Sequence, residues 1–326
     1  MTTKNQFASD NYAGICPEAW QALQEADNGY ATSYGNDPWT AKACDALRDF
    51  FDTDCEVFFV FNGTAANSLA LSSLCQSYHS VICHDMAHEE TDDCGASEFF
   101  SNGTKLLTVS GDNGKVDLVE VEHTVKKRID IHYPKPKVLS LTQSTELGTL
   151  YTPEELVAVH GLAKRLDLKL HMDGARFANA VAALHIHPKE LTWRAGVDVL
   201  TFGGTKCGMP MGEAVVFFDR KLAYEFDYRC KQAGQLASKM RFVSAQFEAL
   251  MTNELWRRNA TQANSMAARL AAGLAGIPGV ELVCPVRINA LFVRLDPRYI
   301  EPLLEHSQFY LWDERASIAR WMTSFS

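Results

Sequence analysis

Two runs decide the fold: His171-Met172-Asp173-Gly174-Ala175-Arg176, and Phe202-Gly203-Gly204-Thr205-Lys206-Cys207-Gly208. Each follows a short apolar stretch, Leu168 to Met172 and Val199 to Phe202, and each then turns through glycine into polar residues. A buried parallel strand delivers functional groups to its C-terminal edge in this way. The spacing between Asp173 and Lys206 leaves room for a strand, a helix and a second strand, which the crossover rule makes parallel. One sheet edge therefore receives an acid, an arginine and a lysine. A lysine behind Gly203-Gly204-Thr205 sits partly out of water, which favours the neutral, nucleophilic amine a Schiff base requires.

Asp173 has a complementary task if a pyridine ring lies beside it: an ionised carboxylate keeps the ring nitrogen protonated and turns the ring into an electron sink. Arg176 can point into the same cleft and hold a carboxylate through two parallel hydrogen bonds, although a surface salt bridge is the plainer alternative. The two runs together resemble the fold-type-I pyridoxal-phosphate enzymes, most closely the threonine aldolase and β-eliminating lyase family. That family carries an Asp-Gly-Ala-Arg run and then a Ser/Thr-Lys dipeptide, and the resemblance spans almost the whole chain.

The resemblance implies an α/β fold, with a mostly parallel central sheet covered by helices on both faces and a smaller α/β C-terminal domain. Residues 1–252 would form an N-terminal arm and large cofactor domain, and residues 253–326 the smaller one, stopping short of a last helix seen in the family. It implies pyridoxal 5'-phosphate on Lys206, next to Thr205, with Lys206, His88 and Asp173 as the catalytic set. The implied reaction is a carbon–carbon cleavage of β-hydroxy-α-amino acids such as L-threonine and L-allo-threonine to glycine and an aldehyde. Another β-lyase or racemase reaction would use the same cofactor machinery, and an inactive cofactor-binding paralogue would keep it.

Composition fits a small-molecule enzyme. The chain has 326 residues, 47% of them hydrophobic, enough for a large core. A net charge of −9 without long acidic runs argues against nonspecific nucleic-acid binding. No apolar run approaches the roughly 20 residues a membrane span needs. Nine cysteines without a Cys-x-x-Cys pair, after an opening with no positive or apolar leader pattern, read as a reduced cytoplasmic protein.

Further motifs follow in chain order. Ser9, in Phe7-Ala8-Ser9-Asp10-Asn11, reads as a surface serine on composition; the resemblance places it at the substrate carboxylate. Tyr34 lies in the turn-rich run Ala31 to Pro38, and the resemblance sets it near an active site assembled between subunits, hence an expected homodimer or homotetramer. Cys55 to Phe61 has strand propensity, and Asn62-Gly63-Thr64 then opens a helix. Free N–H groups and the helix dipole converge there, which suits a phosphate, and the resemblance assigns it to Gly63 and Thr64.

His84 and His88, flanked by acids, have i, i+4 spacing, but the glutamate is misplaced for a His-Glu-x-x-His zinc site, so no metal is expected. By the resemblance His88 stacks on the cofactor ring, and near the usual histidine pKa of about 6.5 it would exchange protons at neutral pH. Where relatives place a second histidine, this chain has Thr145 and Glu146. Thr152-Pro153-Glu154-Glu155 is a capping box opening a helix whose apolar stripe runs through Leu156, Val159, Leu162 and Ala163. Relatives use an arginine in a Gly-Gly-Gly-Met-Arg-like run to reach a neighbouring subunit's phosphate; the glycines do not match here, and Lys239 or Arg241 is the corresponding residue by the resemblance. Arg320, in Ala319-Arg320-Trp321, matches the family's principal carboxylate ligand.

Overall fold

The computed structural model describes residues 5–326. Its strands are β1 (Asn5–Gln6), β2 (Glu56–Val60), β3 (His79–His84), β4 (Lys105–Val109), β5 (Lys135–Thr142), β6 (Lys169–Gly174) and β7 (Val199–Gly203). They continue with β8 (Glu213–Phe217), β9 (Val280–Leu282), β10 (Ala290–Leu295), β11 (Ser307–Gln308), β12 (Tyr310–Asp313) and β13 (Ile318–Met322). Seven of them form the main sheet in the order β2-β8-β7-β6-β5-β3-β4. The β4, β3, β5, β6 and β7 neighbours are parallel, whereas β8 runs antiparallel to both β7 and β2. The direction of β8 was open in the sequence.

Side-chain alternation explains the layering. In β6, Leu170 and Met172 enter one apolar cluster, shared with Leu47, Val159 and Phe247 from covering helices. In β5 and β7, Val138 and Val199 face the opposite cluster, shared with Leu69 and Leu71 of the helix Gly63–Leu74. His171 and Asp173 alternate with Leu170 and Met172, so they lie on the face beneath that helix. The capping box at Thr152 and Glu155 forms as expected, and Leu156, Val159, Leu162 and Ala163 of Pro153–Arg165 are buried.

A second, antiparallel sheet has the order β12-β13-β10-β9. The helix Leu255–Leu274 runs from one core to the other, with Trp256 in the large cluster and Ala267 in the small one. The arm at the N-terminus joins the C-terminal segment, since β1 pairs in parallel with β11 and Met322 N–H donates to the Phe7 carbonyl at 2.8 Å. No helix among the described residues is long and apolar enough to cross a membrane.

Candidate active site

Parallel register brings the ends of β5, β6 and β7 together, with Asp173 opposite Thr142 on one side and Thr201 on the other. Asp173 is 4% exposed. Its Oδ2 accepts from Asn67 Nδ2 at 2.9 Å and its Oδ1 from the Ala175 N–H at 2.9 Å, while Thr201 donates to Asn67 Oδ1 at 2.8 Å. Burial alone would raise the Asp173 pKa, but the His88 charge, the Ala175 and Asn67 donors and Lys206 outweigh it, and the carboxyl is held below its ordinary range. A deep, ionised carboxylate results.

The turn that carries Lys206 requires glycine. A Cβ on Gly203 would stand 2.4 Å from the Ala175 carbonyl oxygen, so the β6 and β7 turns approach as only glycine allows. Glu213, paired with Gly203 across β8, accepts from the Gly204 N–H at 2.9 Å and fixes the next step of the turn. Burial pushes the Glu213 carboxyl up to about 7 against the pull of Lys206. Among the described residues the Lys206 amine has no hydrogen-bond or ion-pair partner.

The helix Gly63–Leu74 begins at the same edge. Its cap, Asn62, accepts from the Ala65 N–H at 2.9 Å, which leaves the Gly63 and Thr64 N–H groups free for an anion. The Thr64 hydroxyl donates to Asp93 Oδ1 at 2.7 Å. Asp93, a residue the sequence did not single out, also bonds His88 Nδ1 at 2.9 Å. That bond, helped by Asp173, raises the His88 pKa to about 9 against the cost of burial. The fixed Asp93 carboxylate favours the charged ring over one poised near 6.5.

Arg176 is gripped from the N-terminal arm. Its Nε meets Asp10 Oδ2 at 2.7 Å and its Nη2 meets Asp10 Oδ1 at 2.9 Å, and Asn289 Nδ2 adds a bond to Asp10 Oδ2 at 3.0 Å. The fork expected for a substrate carboxylate is thus already filled on one edge, and the outer edge of Nη1 and the second Nη2 hydrogen carries no hydrogen bond among the described residues. Ser9, next to Asp10, accepts from the Asn11 N–H at 3.1 Å and caps a short turn. Arg320, on β13, has its guanidinium 5.5 Å from the Trp312 ring centre and a buried Nε without a partner. Burial and the nearby Arg176 lower the Arg320 pKa against the pull of Glu146, Asp10 and Asp92.

Tyr34 is 45% exposed, with Lys231 Nζ 4.3 Å from its ring centre and its N–H donating to the Ser238 carbonyl at 3.0 Å. Arg241 Nη1 bonds the Gly29 carbonyl at 3.2 Å, and Lys239 is exposed. Among the described residues no group of three or more His, Cys, Asp or Glu side chains is arranged to hold a metal ion. Asn67, Asp93, Asp10, Asn289 and Glu213 were missed in the sequence, because each works through a contact with a side chain or turn that the sequence does not place beside it.

Residues 6–297 match the profile of a family described as β-eliminating lyase. The low specificity L-threonine aldolase of Pseudomonas sp. strain NCIMB 10558 is 60% identical over 306 residues, covering 94% of this chain and 87% of that one. The protein of the same name from Pseudomonas aeruginosa is 59% identical over 298 residues, 91% of this chain and 86% of the other. Among solved structures, the threonine aldolase of Leishmania major superposes with a TM-score of 0.92 at 28% identity, covering 99% of this chain and 94% of that one.

Proposed function

The chain belongs to the β-eliminating lyase family, and from that premise we propose that it is a pyridoxal 5'-phosphate enzyme cleaving L-threonine and L-allo-threonine to glycine and acetaldehyde. One observation carries the reading: an unpaired lysine amine and a buried, ionised aspartate share one sheet edge with the free N–H groups of a helix start. Those residues suit an aldehyde, a pyridine nitrogen and a phosphate respectively. When bound, the cofactor supplies a sink for the electron pair released at Cα.

The chain's own residues do the rest. Lys206 offers the amine for covalent attachment. Asp173, oriented by Asn67 and the Ala175 N–H, holds a negative charge where a protonated ring nitrogen would lie. His88 offers a flat cation above the edge, fixed through Asp93. Gly63 and Thr64 present N–H groups to a phosphate. Arg320, with Arg176 Nη1 and the Ser9 hydroxyl, would pin the substrate carboxylate and thereby set which bond at Cα lines up for cleavage. The half-buried, unpartnered Arg320 supports an anion there.

Assembly as a homodimer or homotetramer is part of the proposal, with Tyr34, Lys239 and Arg241 facing a neighbouring subunit; light scattering tests it. Nine free cysteines fit a reducing, cytoplasmic setting. The function itself is tested with purified protein, L-threonine and L-allo-threonine. The expected result is glycine and acetaldehyde in equal amounts from a yellow protein, and neither product nor colour from Lys206→Ala. Ammonia and a keto acid in place of glycine would assign a different lyase reaction.

A further inference from the structure

The cleavage proposed above requires a group that takes the proton of the substrate's β-hydroxyl, and His88, held at Nδ1 by Asp93 in a pairing that favours the charged ring, is ill suited to it. Asp173 is bound by Asn67 and Ala175, Asp10 by Arg176 and Asn289, and Glu213 by the Gly204 N–H. Glu89 is 1% exposed and lies under the charges of Asp173 and Asp93. Asp93 is bound by His88 and the Thr64 hydroxyl, and Asp92 accepts from Thr91; among the described residues Glu146 is a carboxyl of this edge without such a partner.

Glu146 sits at the tip of a pinned turn that leaves β5 next to Asp173, since Thr142 is the register partner of Asp173. The Thr145 N–H donates to the Thr149 carbonyl at 3.0 Å and the Gly148 N–H to the Thr145 carbonyl at 2.8 Å. The two threonine hydroxyls lie 2.7 Å apart, and both donate toward the Asn113 carbonyl, at 3.3 and 2.6 Å. Gly148, at φ +71°, packs against Ala290 and Ile288. A backbone held this way fixes the position of the residue at its tip.

The Glu146 side chain is half-buried and makes no hydrogen bond or ion pair to the described residues. Its charge is felt by, or feels, those of Arg176, Asp173, His88, Lys206 and Arg320. We propose that Glu146 is the general base for the substrate's β-hydroxyl. The hydroxyl proton passes to the Glu146 carboxylate, the O–H electron pair becomes the second bond of the aldehyde carbonyl, and the Cα–Cβ bond breaks with its pair left on Cα. A solvent proton then joins Cα while Glu146 releases the one it took to solvent, so that glycine and the aldehyde leave with the atom count unchanged and the carboxylate restored. Withdrawal from water raises the Glu146 pKa despite those cations, in the direction that strengthens it as a base.

This inference rests on the aldolase reading, so the test separates the two. Full-length enzyme loaded with pyridoxal 5'-phosphate is compared as wild type, Glu146→Gln and Glu146→Ala. With Glu146→Gln, kcat for L-threonine should fall by about 10²-fold or more, and the acidic limb of the pH profile should vanish. The KM, the dissociation constant for glycine and the exchange of the glycine α-proton should stay within about twofold, since glycine has no hydroxyl to deprotonate. Infrared difference titration of wild type against Glu146→Gln, with and without cofactor, should show one carboxyl ionising above the ordinary glutamate range. Formate should restore part of the Glu146→Ala rate. Retention of kcat within about threefold with the acidic limb intact would overturn the assignment, as would parallel loss of cleavage and glycine exchange. If the wild type itself releases no glycine from L-threonine, the aldolase reading fails and takes this one with it.

Discussion

Arg176 and Asp10 form a two-pronged ion pair, at 2.7 and 2.9 Å, although 166 residues separate them. The pair ties the N-terminal arm to the turn after β6, and Asn289 extends the link to the small sheet. Burial alone would raise the Asp10 pKa, but Arg176 outweighs it and holds the carboxyl at about 2. A depressed acid contributes stability that is present above its unfolded pKa of 3.8 and lost as pH falls towards about 2. Asp10→Ala should cost about 3–5 kcal/mol at neutral pH, because it strands a buried guanidinium. Thermal melts from pH 7 to pH 3 check this; a wild-type advantage that does not shrink in acid would count against the pairing.

Asp93 is predicted to control the charge of His88. Asp93→Asn keeps an oxygen for the Thr64 hydroxyl and removes the negative charge. The His88 pKa should then drop from about 9 towards the usual 6.5. Imidazole resonances followed by NMR through pH 6 to 10 report the change directly, and an unmoved titration would show that another group sets it.

Gly203→Ala should displace the lysine turn. Its added methyl meets the Ala175 backbone, which has no flexible end to yield. The expected loss is about 1–3 kcal/mol or more in stability, together with weakened cofactor retention measured by absorbance after gel filtration. Gly161→Ala is the contrast: it lies in the helix Pro153–Arg165, and a Cβ there would approach only the Arg165 side chain, at 4.0 Å. That change should be neutral or stabilising by up to about 1 kcal/mol.

Glu89 gives a prediction of opposite sign to Asp10. Burial, reinforced by Asp173, pushes its carboxyl up to about 7 against the opposing pull of Ser140. A raised acid is protonated in the fold while the unfolded chain has already ionised, so stability falls as pH climbs from 4.5 through about 7. Glu89→Gln mimics the protonated form at every pH. It should gain about 2–3 kcal/mol on wild type between pH 5 and pH 8, measured by denaturant unfolding at both values. An equal difference at the two pH values would sink the idea.

Local chemistry wrote much of the fold into the sequence. Apolar runs ending in glycine located β6 and β7, the Thr152 box located a helix start, and the spacing between Asp173 and Lys206 fixed a parallel crossover, since each depends on neighbours a few residues away. The β8 direction was not legible, because a short apolar strand reads alike both ways. Of the site, Asp173 and Lys206 were legible from their turns, and Arg320 through the resemblance.

Their environment was decided in three dimensions. Asn67 meets Asp173 across 106 positions and Thr201 across 134, and Asp10 meets Asn289 across 279. Whether a histidine is neutral or charged, or an arginine is free or already paired, depends on burial and on partners that arrive from distant segments. The sequence by itself determined which chemical groups reach the sheet edge. Only the packed chain decided their protonation and their partners, because desolvation and Coulomb energy depend on distances through space and not along the backbone.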